Sequence, residues 1–373
     1  MKILFVTNNY TPYSGGVVSS IEAFRHELKL QGHPVIVVTL DFLGDGVVED
    51  NVIRLTCPIR FTYHGNPIAI PFFARSEIQK IIEEHKPAIV HTHHPFILGP
   101  VAVRLAKKYT IPSIFTYHSQ YASYADHYMP FFKELAHSFI AKWVESFCNK
   151  VDRIITPTLS VKNQLQKNKV STPITVIPTG ILPVFESQNC PKKQQEKNSF
   201  NLLTVSRFAP EKNITFLLDL MTQLDDCYTL TLVGFGAQLS FLKEYAFKKC
   251  KLSSRRITFV VKPTKTVVAQ HYKEADLFIF ASTTETQALV LLESMAAGTP
   301  VVALKAPGVQ DIVQDGSNGL LVSTLKEMKE KIELLKNNKE LYKNLHKNAC
   351  ESAKEYNIAI TTKKLINVYQ SML

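Results

Sequence analysis

The sequence has few cysteines and a single tryptophan among its 373 residues. The six cysteines are scattered without a C-x-x-C pair, which argues against a disulfide framework and against a structural zinc site. No apolar run reaches the roughly 18 residues that a membrane-spanning helix needs. The apolar run in Met1–Thr7 is too short for a signal peptide and predicts a buried strand instead. These absences favour a protein of the cytoplasm.

The chain also lacks any concentration of charge. Its net charge is +11, but basic residues exceed acidic ones by similar margins in both halves, and there is no basic tail. Nucleic acid is recognised through a concentrated basic face, so we expect no nucleic-acid partner. With 45% apolar and 20% charged residues, the composition is typical of a globular protein, and the length favours two domains.

Short apolar runs alternate with helical patterns along two successive stretches of the chain. This alternation predicts parallel β-α-β units, and hence an α/β protein with two Rossmann-like parallel-sheet domains facing across a cleft. A polar segment without periodicity separates the two stretches and predicts a linker. Whether the last helix returns to the first domain is left open. The predicted parts are a first domain at 1–185, a linker at 186–199, a second domain at 200–356 and a terminal helix at 357–373.

Charged residues and glycines follow the predicted strands of the second domain, where the ligands of open parallel sheets bind. Arg207 and Lys212 come after the strand predicted at 201–205 and could both reach one anionic group, such as a diphosphate. A solvated pair at a helix start explains them equally well. Gly234 closes the next strand and would allow a ligand to approach the backbone closely.

The segment 280–303 carries the strongest signal. A strand ends, a polar turn carries Glu285, and a helix is predicted to begin near Thr286. Glu293 lies eight residues after Glu285, just over two helical turns, so it returns near the same side of the helix. A carboxylate at that place suits a diol such as ribose. The backbone amides that would then point at an anion belong to Gln287, Ala288 and Leu289.

Glu285 and Glu293 together form an E-x7-E signature. With the segments 206–213 and 307–322, this signature resembles the retaining glycosyltransferases of family four, which have the two-domain GT-B architecture. Gly15 and Gly16 after the first strand resemble that family's amino-terminal glycine loop, so the resemblance spans nearly the whole chain. It implies a nucleotide-sugar site in the carboxyl-terminal domain and an acceptor site in the amino-terminal domain.

The resemblance also implies a role for individual residues. Arg207 and Lys212 would hold the diphosphate and stabilise the leaving nucleotide. Glu285 would contact the donor sugar, and Glu293 its ribose. His118, which follows a predicted strand, resembles the family histidine that contacts the transferred sugar. The remaining donor contacts would come from Gly15, Gly16, Gly234, Thr286, Gln287, Ala288 and Leu289.

Two features of the chain depart from related sequences. Thr286-Gln287-Ala288 stands where the family usually has Gly-Phe-Gly, and Val261-Lys262-Pro263 replaces a commoner glycine turn near the base-binding strand. No D-x-D triplet occurs, so we expect no metal and no cofactor beyond the nucleotide-sugar donor. Charge on the leaving group would be neutralised by basic side chains and a helix dipole.

Two features favour a lipid acceptor. The segment 117–128 is similar to the diacylglycerol glucosyltransferase branch of the family, and its Tyr121, Tyr124 and Asp126 are candidate acceptor contacts. The amphipathic segment Phe131–Phe147 would either bind an anionic membrane surface or pack within its own domain.

The sequence therefore predicts a retaining hexosyltransferase that moves glucose from UDP-glucose to a membrane-lipid hydroxyl such as that of diacylglycerol. The product would be an α-glycoside, and the enzyme would lie on the inner face of the cell membrane. The first alternative is the same chemistry on a saccharide or a polyprenyl-linked acceptor. A sugar-nucleotide epimerase or hydrolase and a non-enzymatic binding protein are the other two.

Overall fold

The computed structural model describes residues 1–12, 15–42, 44, 49–63, 66–121, 133–187 and 199–373. These residues form two compact units. Unit 1 contains Met1–Gly180 and also Ala359–Leu373, and unit 2 contains Ile181–Ile358. Most of the linker predicted at 186–199 lies outside the described residues.

Unit 1 is built on a seven-stranded parallel sheet with the order β3-β2-β1-β6-β7-β8-β9. Its central strands are buried along their whole length, because helices cover both faces of the sheet. The strands are β1 (Ile3–Val6), β2 (Val35–Leu40), β3 (Val52–Leu55), β6 (Ile89–Thr92), β7 (Ser113–Thr116), β8 (Arg153–Thr156) and β9 (Ile174–Val176). A separate antiparallel hairpin joins β4 (Ile59–Tyr63) to β5 (Asn66–Ile70).

The helices of unit 1 include the last helix of the chain, which contacts unit 1 through a buried hydrogen bond. The hydroxyl of Tyr369 lies 2.6 Å from Nδ1 of His91, and both side chains are buried. The helices are α1 (Gly16–Leu30), α2 (Ala74–His85), α3 (Leu98–Lys108), α4 (Lys133–Cys148), α5 (Leu159–Lys167) and the terminal α13 (Ile358–Gln370).

Unit 2 is built on a six-stranded parallel sheet with the order β12-β11-β10-β13-β14-β15. Its strands are β10 (Phe200–Arg207), β11 (Tyr228–Phe235), β12 (Ile257–Val261), β13 (Leu277–Phe280), β14 (Val301–Leu304) and β15 (Leu320–Val322). Its helices are α6 (Ile214–Gln223), α7 (Leu239–Glu244), α8 (Lys265–Glu274), α9 (Leu289–Ala296), α10 (Pro307–Gln310), α11 (Leu325–Asn337) and α12 (Lys339–Lys354). Both units therefore have the predicted parallel α/β architecture.

Four cysteines of the described residues, Cys57, Cys148, Cys227 and Cys250, are free, and Cys350 is disulfide-bonded. One bonded cysteine does not make the framework of several disulfides that the scattered spacing argued against. Across the described ranges, no helix combines the length and the apolar character needed to cross a bilayer.

Candidate active site

The parallel register of unit 2 places the ends of β10 and β11 side by side. Arg207, at the end of β10, pairs with Phe235, and Ser206 pairs with Gly234. A Cβ on Gly234 would lie 1.8 Å from the carbonyl oxygen of Ser206, so only glycine fits at this position. Packing alone therefore explains why position 234 is a glycine. The same close packing holds the backbone beside Arg207 in place.

Lys212 and Glu285 form an ion pair at this edge of the sheet. Lys212 belongs to a 3₁₀ turn (Pro210–Lys212) after β10, and Glu285 lies in the loop after β13. Nζ of Lys212 donates to Oε1 of Glu285 at 2.6 Å, and each side chain is only 15% exposed. The pair joins two loops that are separated by more than 70 residues of sequence.

Basic neighbours determine the ionisation of Glu285. Burial would raise the pKa of this carboxyl, but the charge and hydrogen bond of Lys212, with smaller contributions from Ser282 and Arg207, outweigh burial. The pKa of Glu285 therefore lies below its ordinary value of 4.5, and the side chain is ionised at neutral pH.

Arg207 has its own carboxylate partner beside this pair. Its Nη2 donates to Oε1 of Glu211 at 2.8 Å, and the backbone carbonyl of Glu211 accepts from Oγ of Ser282 at 3.2 Å. Arg207, Glu211, Lys212 and Glu285 form what we call the charged cluster. Two cations and two carboxylates therefore lie together at this edge of the sheet.

Glu293, on α9, has a different partner. Its Oε2 accepts a hydrogen bond of 3.0 Å from the hydroxyl of Tyr272 on α8. Burial raises the pKa of Glu293 to about 7, although the Tyr272 hydrogen bond and the charge of Lys265 both lower it. The two glutamates of the E-x7-E signature therefore have pKa values shifted in opposite directions.

The predicted start of α9 near Thr286 is wrong. The helix begins at Leu289, because Ala288 adopts a left-handed conformation (φ 47°) that an α-helix cannot contain. Thr286, Gln287 and Ala288 therefore form a turn before the helix, and the amides of Gln287 and Ala288 are not those of its first turn. The Cβ of an alanine at Gly308 would lie 2.4 Å from the carbonyl oxygen of Glu285, so this glycine lets α10 pack against the same turn.

The glycine loop after β1 leads into α1. Gly15 is extended, and Gly16 is the first residue of the helix. A Cβ on Gly16 would meet no described atom within 4 Å, so the packing of the described residues does not require glycine there. At Gly234, by contrast, packing alone requires glycine.

His118 follows β7 and contacts a second histidine. Its Nε2 lies 2.9 Å from Nδ1 of His93, and the two rings stack with centroids 5.2 Å apart. The ring of His93 also stacks on that of His91 at 4.4 Å. Burial lowers the pKa of all three imidazoles far enough to keep them neutral at pH 7. His91 lies within β6 and His93 directly follows it, and both side chains are buried.

The candidate acceptor residues divide into two groups. Tyr121 is buried, its ring meets those of Phe96 and Tyr117 edge-on, and its hydroxyl donates to the carbonyl of His93 at 3.4 Å. Tyr124 and Asp126 lie outside the described residues. The acceptor role of these three residues stays a prediction.

The amphipathic segment predicted at Phe131–Phe147 forms α4 over its described part. Phe147 and Val144 pack into the core of unit 1, as packing within the domain would require. Leu135, Phe139 and Trp143 are 74%, 67% and 43% exposed. The apolar surface of α4 is therefore divided between the core and solvent, and the predicted Phe131 and Phe132 lie outside the described residues.

Known proteins resemble this chain in sequence and in fold. The family model for Glycosyltransferase Family 4 matches residues 14–183, and that for Glycosyl transferases group 1 matches residues 186–352. The chain is 33% identical over 336 residues to alpha-monoglucosyldiacylglycerol synthase of Streptococcus pneumoniae, covering 86% of this chain and 75% of that protein. It is 26% identical to the synthase of the same name from Acholeplasma laidlawii, over 100% and 98% of the two chains.

Among solved structures, HepE of Anabaena in complex with UDP is similar in fold, with a TM-score of 0.79, 18% identity and 100% coverage of both chains. The two parallel-sheet units and these matches define a glycosyltransferase of GT-B architecture, an enzyme of the hexosyltransferase type. The chain belongs to glycosyltransferase family 4.

We predict that the substitution Lys212→Ala lowers the transfer rate by about 10²-fold to 10³-fold, because one cation of the charged cluster is lost. It should also destabilise the fold by about 3 kcal/mol, because it leaves Glu285 buried without its partner. The pKa of Glu285 is depressed in the folded protein, so this stability difference should be full above pH 4.5 and shrink as the pH falls further.

The measurements are single-turnover kinetics and urea unfolding at several pH values. The matched control is Lys248→Ala, which removes an exposed ion pair with Glu244 and should change stability by less than about 0.5 kcal/mol. Equal effects of the two substitutions on rate or stability would contradict the special role of Lys212.

Proposed function

We propose that the protein transfers glucose from UDP-glucose to the free hydroxyl of a membrane lipid such as diacylglycerol and forms an α-glycoside. The main support for this proposal is the 33% identity to the alpha-monoglucosyldiacylglycerol synthase of Streptococcus pneumoniae, over 75% of the length of that protein. The match to the Acholeplasma synthase over nearly the full length of both chains supports the same acceptor.

The donor assignment is supported by the charged cluster. A nucleoside diphosphate sugar carries two negative charges, and Arg207 and Lys212 bring two cations to one edge of the sheet. When the diphosphate binds, N–H groups of both side chains hydrogen-bond its oxygens, and the carboxylates of Glu211 and Glu285 hold the cations in place. UDP is chosen as the nucleotide because HepE, which has the same fold, is solved with UDP.

The sugar contacts follow from the two glutamates and from His118. Glu285, ionised beside Lys212, accepts hydrogen bonds from the hydroxyls of the donor sugar, and Glu293 accepts from the ribose. His118 contacts the transferred hexose and does so as a neutral imidazole, because its pKa lies well below 6.5. The backbone at Gly16 approaches the donor, as the free space around that position allows.

The reaction breaks the bond between C1 of the sugar and the β-phosphate oxygen, and forms a bond from C1 to the acceptor oxygen on the same face. The proton of the acceptor hydroxyl passes to the departing phosphate oxygen. Lys212 and Arg207 stabilise the negative charge that develops on that phosphate. Same-face displacement retains the α-configuration without a covalent enzyme intermediate.

Membrane attachment is supported by α4 and by the net charge. Exposed Leu135, Phe139 and Trp143 present an apolar surface of the kind that enters the lipid interface. The cytoplasmic leaflet is negatively charged and attracts a protein with a net charge of +11. We therefore place the enzyme on the inner face of the cell membrane.

The proposal predicts a hexosyl-diacylglycerol when the protein is incubated with diacylglycerol liposomes and UDP-glucose. Mass spectrometry identifies the product, and the coupling constant of its anomeric proton should be that of an α-glucoside. A panel of other nucleotide sugars and of saccharide acceptors runs in parallel. Transfer only to a saccharide would contradict the lipid acceptor, a β-glycoside would contradict retention, and nucleotide release without any acceptor would contradict transfer.

We predict that Phe139→Asp reduces flotation of the protein with anionic liposomes by about tenfold, because a charge replaces apolar surface at the lipid interface. The matched control is Phe241→Asp, which places the same change at a half-exposed phenylalanine of unit 2. Flotation should be unchanged for the control. Equal flotation of the wild type and Phe139→Asp would contradict attachment through α4.

A further inference from the structure

Among the described residues, the carboxylate of Glu293 accepts a hydrogen bond from the hydroxyl of Tyr272. The phenol donates to Oε2 at 3.0 Å, and Oε1 takes no part in this bond. The two residues lie on adjacent helices, α8 and α9, and are 21 positions apart in the sequence. Tyr272 is not part of the E-x7-E signature.

The ring of Tyr272 is fixed by its surroundings. The side chain has no exposed surface, and its ring packs against those of Phe185 and Phe278 with centroids 6.0 and 5.5 Å apart. Its backbone carbonyl accepts a hydrogen bond from the hydroxyl of Thr299. The constrained ring fixes the position of the hydroxyl, so its hydrogen bond limits the rotation of the Glu293 carboxylate.

We propose that Tyr272 is a positioning residue for donor binding, whose hydroxyl holds the Glu293 carboxylate oriented and ionised so that it accepts hydrogen bonds from the vicinal hydroxyls of a ribose. This inference rests on the proposed function, since it takes Glu293 as the ribose contact. It adds a residue that acts through Glu293 and does not itself touch the nucleotide.

The groups around Glu293 show how the Tyr272 hydrogen bond affects the ionisation of this carboxyl. Burial raises the pKa of the carboxyl to about 7, and the groups that oppose burial are the Tyr272 hydroxyl and the Lys265 ammonium, both on α8. Three titratable groups on other elements packed against α9 have hydrogen-bond partners of their own. On α12, His346 bonds the carbonyl of Gly298 and Tyr342 that of Asp276, and Glu186 after the turn Pro183–Phe185 accepts from Asn357.

The protonation state of Glu293 changes what it offers a ribose. The ionised carboxylate offers acceptor oxygens only, whereas the protonated form uses one oxygen as a donor and loses most of its strength as an acceptor. With a pKa near 7, both forms are populated at neutral pH. A hydrogen bond that favours the ionised form therefore sets the fraction of molecules able to hold the ribose.

The experiment measures the dissociation constants of UDP and of inorganic pyrophosphate by calorimetry between pH 6 and pH 9. For the wild type, UDP affinity should rise with pH through about 7 as Glu293 ionises. In Tyr272→Phe this rise should move to higher pH, because the hydrogen bond that lowers the pKa is lost. At pH 7 the variant should bind UDP about fivefold to tenfold more weakly, while pyrophosphate, which has no ribose, binds equally well. In steady-state assays the loss should fall on the donor KM and not on kcat.

Two further variants make the result specific. Tyr342→Phe removes another buried tyrosine hydroxyl of unit 2, bonded at 2.7 Å to the carbonyl of Asp276, and should leave the pH profile unchanged. Glu293→Gln should bind UDP weakly with no rise near pH 7, and adding Tyr272→Phe to it should not shift the profile. Circular dichroism verifies the folding of each variant.

The inference is overturned if Tyr272→Phe keeps the wild-type pH profile, if pyrophosphate binding falls as much as UDP binding, or if Tyr342→Phe shows the same shift. A wild type that binds UDP with the expected profile but makes no glycolipid would refute the proposed acceptor and still support the role of Tyr272. A wild type that binds no UDP would overturn both the inference and the proposed donor.

Discussion

The ion pair between Lys212 and Glu285 holds together two loops that leave different strands of the second unit. Neither charge could remain in so buried a place alone, so the loops after β10 and β13 are fixed relative to each other. The close packing of Gly234 against Ser206 holds the backbone of the neighbouring strand end, and Gly308 packs against the carbonyl of Glu285. Close backbone contacts therefore limit the conformational freedom of the segments that carry the charged cluster.

The two glutamates of one sequence signature occupy different electrostatic environments. Glu285 lies beside two cations and has a lowered pKa, whereas the phenol of Tyr272 and the ammonium of Lys265 only partly offset the burial of Glu293. In the proposed function, the ionised carboxylate of Glu285 lies beside the diphosphate, and the carboxylate of Glu293, titrating near neutral pH, would make nucleotide binding sensitive to pH. The difference comes from the tertiary surroundings, because the residue type is the same.

The alternation of apolar runs and helical patterns was sufficient to predict most strands and helices, because parallel strands buried on both faces leave a strong signal. The charged residues were also predictable, since they follow strands directly. The left-handed Ala288 was not predictable, because alanine carries no sequence mark for that conformation. Tyr272 was missed for a different reason: its bond to Glu293 joins neighbouring helices, and spacing along the chain cannot reveal it. The burial of Tyr121 likewise depends on packing in three dimensions.

The central claim is that the charged cluster and Glu293 bind a nucleoside diphosphate. The most direct test is a crystal structure of the protein with UDP. Diphosphate oxygens should lie within hydrogen-bonding distance of Arg207 and Lys212, and ribose hydroxyls should bind the carboxylate of Glu293 with the Tyr272 bond intact. A nucleotide bound elsewhere, or one whose phosphates contact the charged cluster while its ribose does not reach Glu293, would contradict this claim.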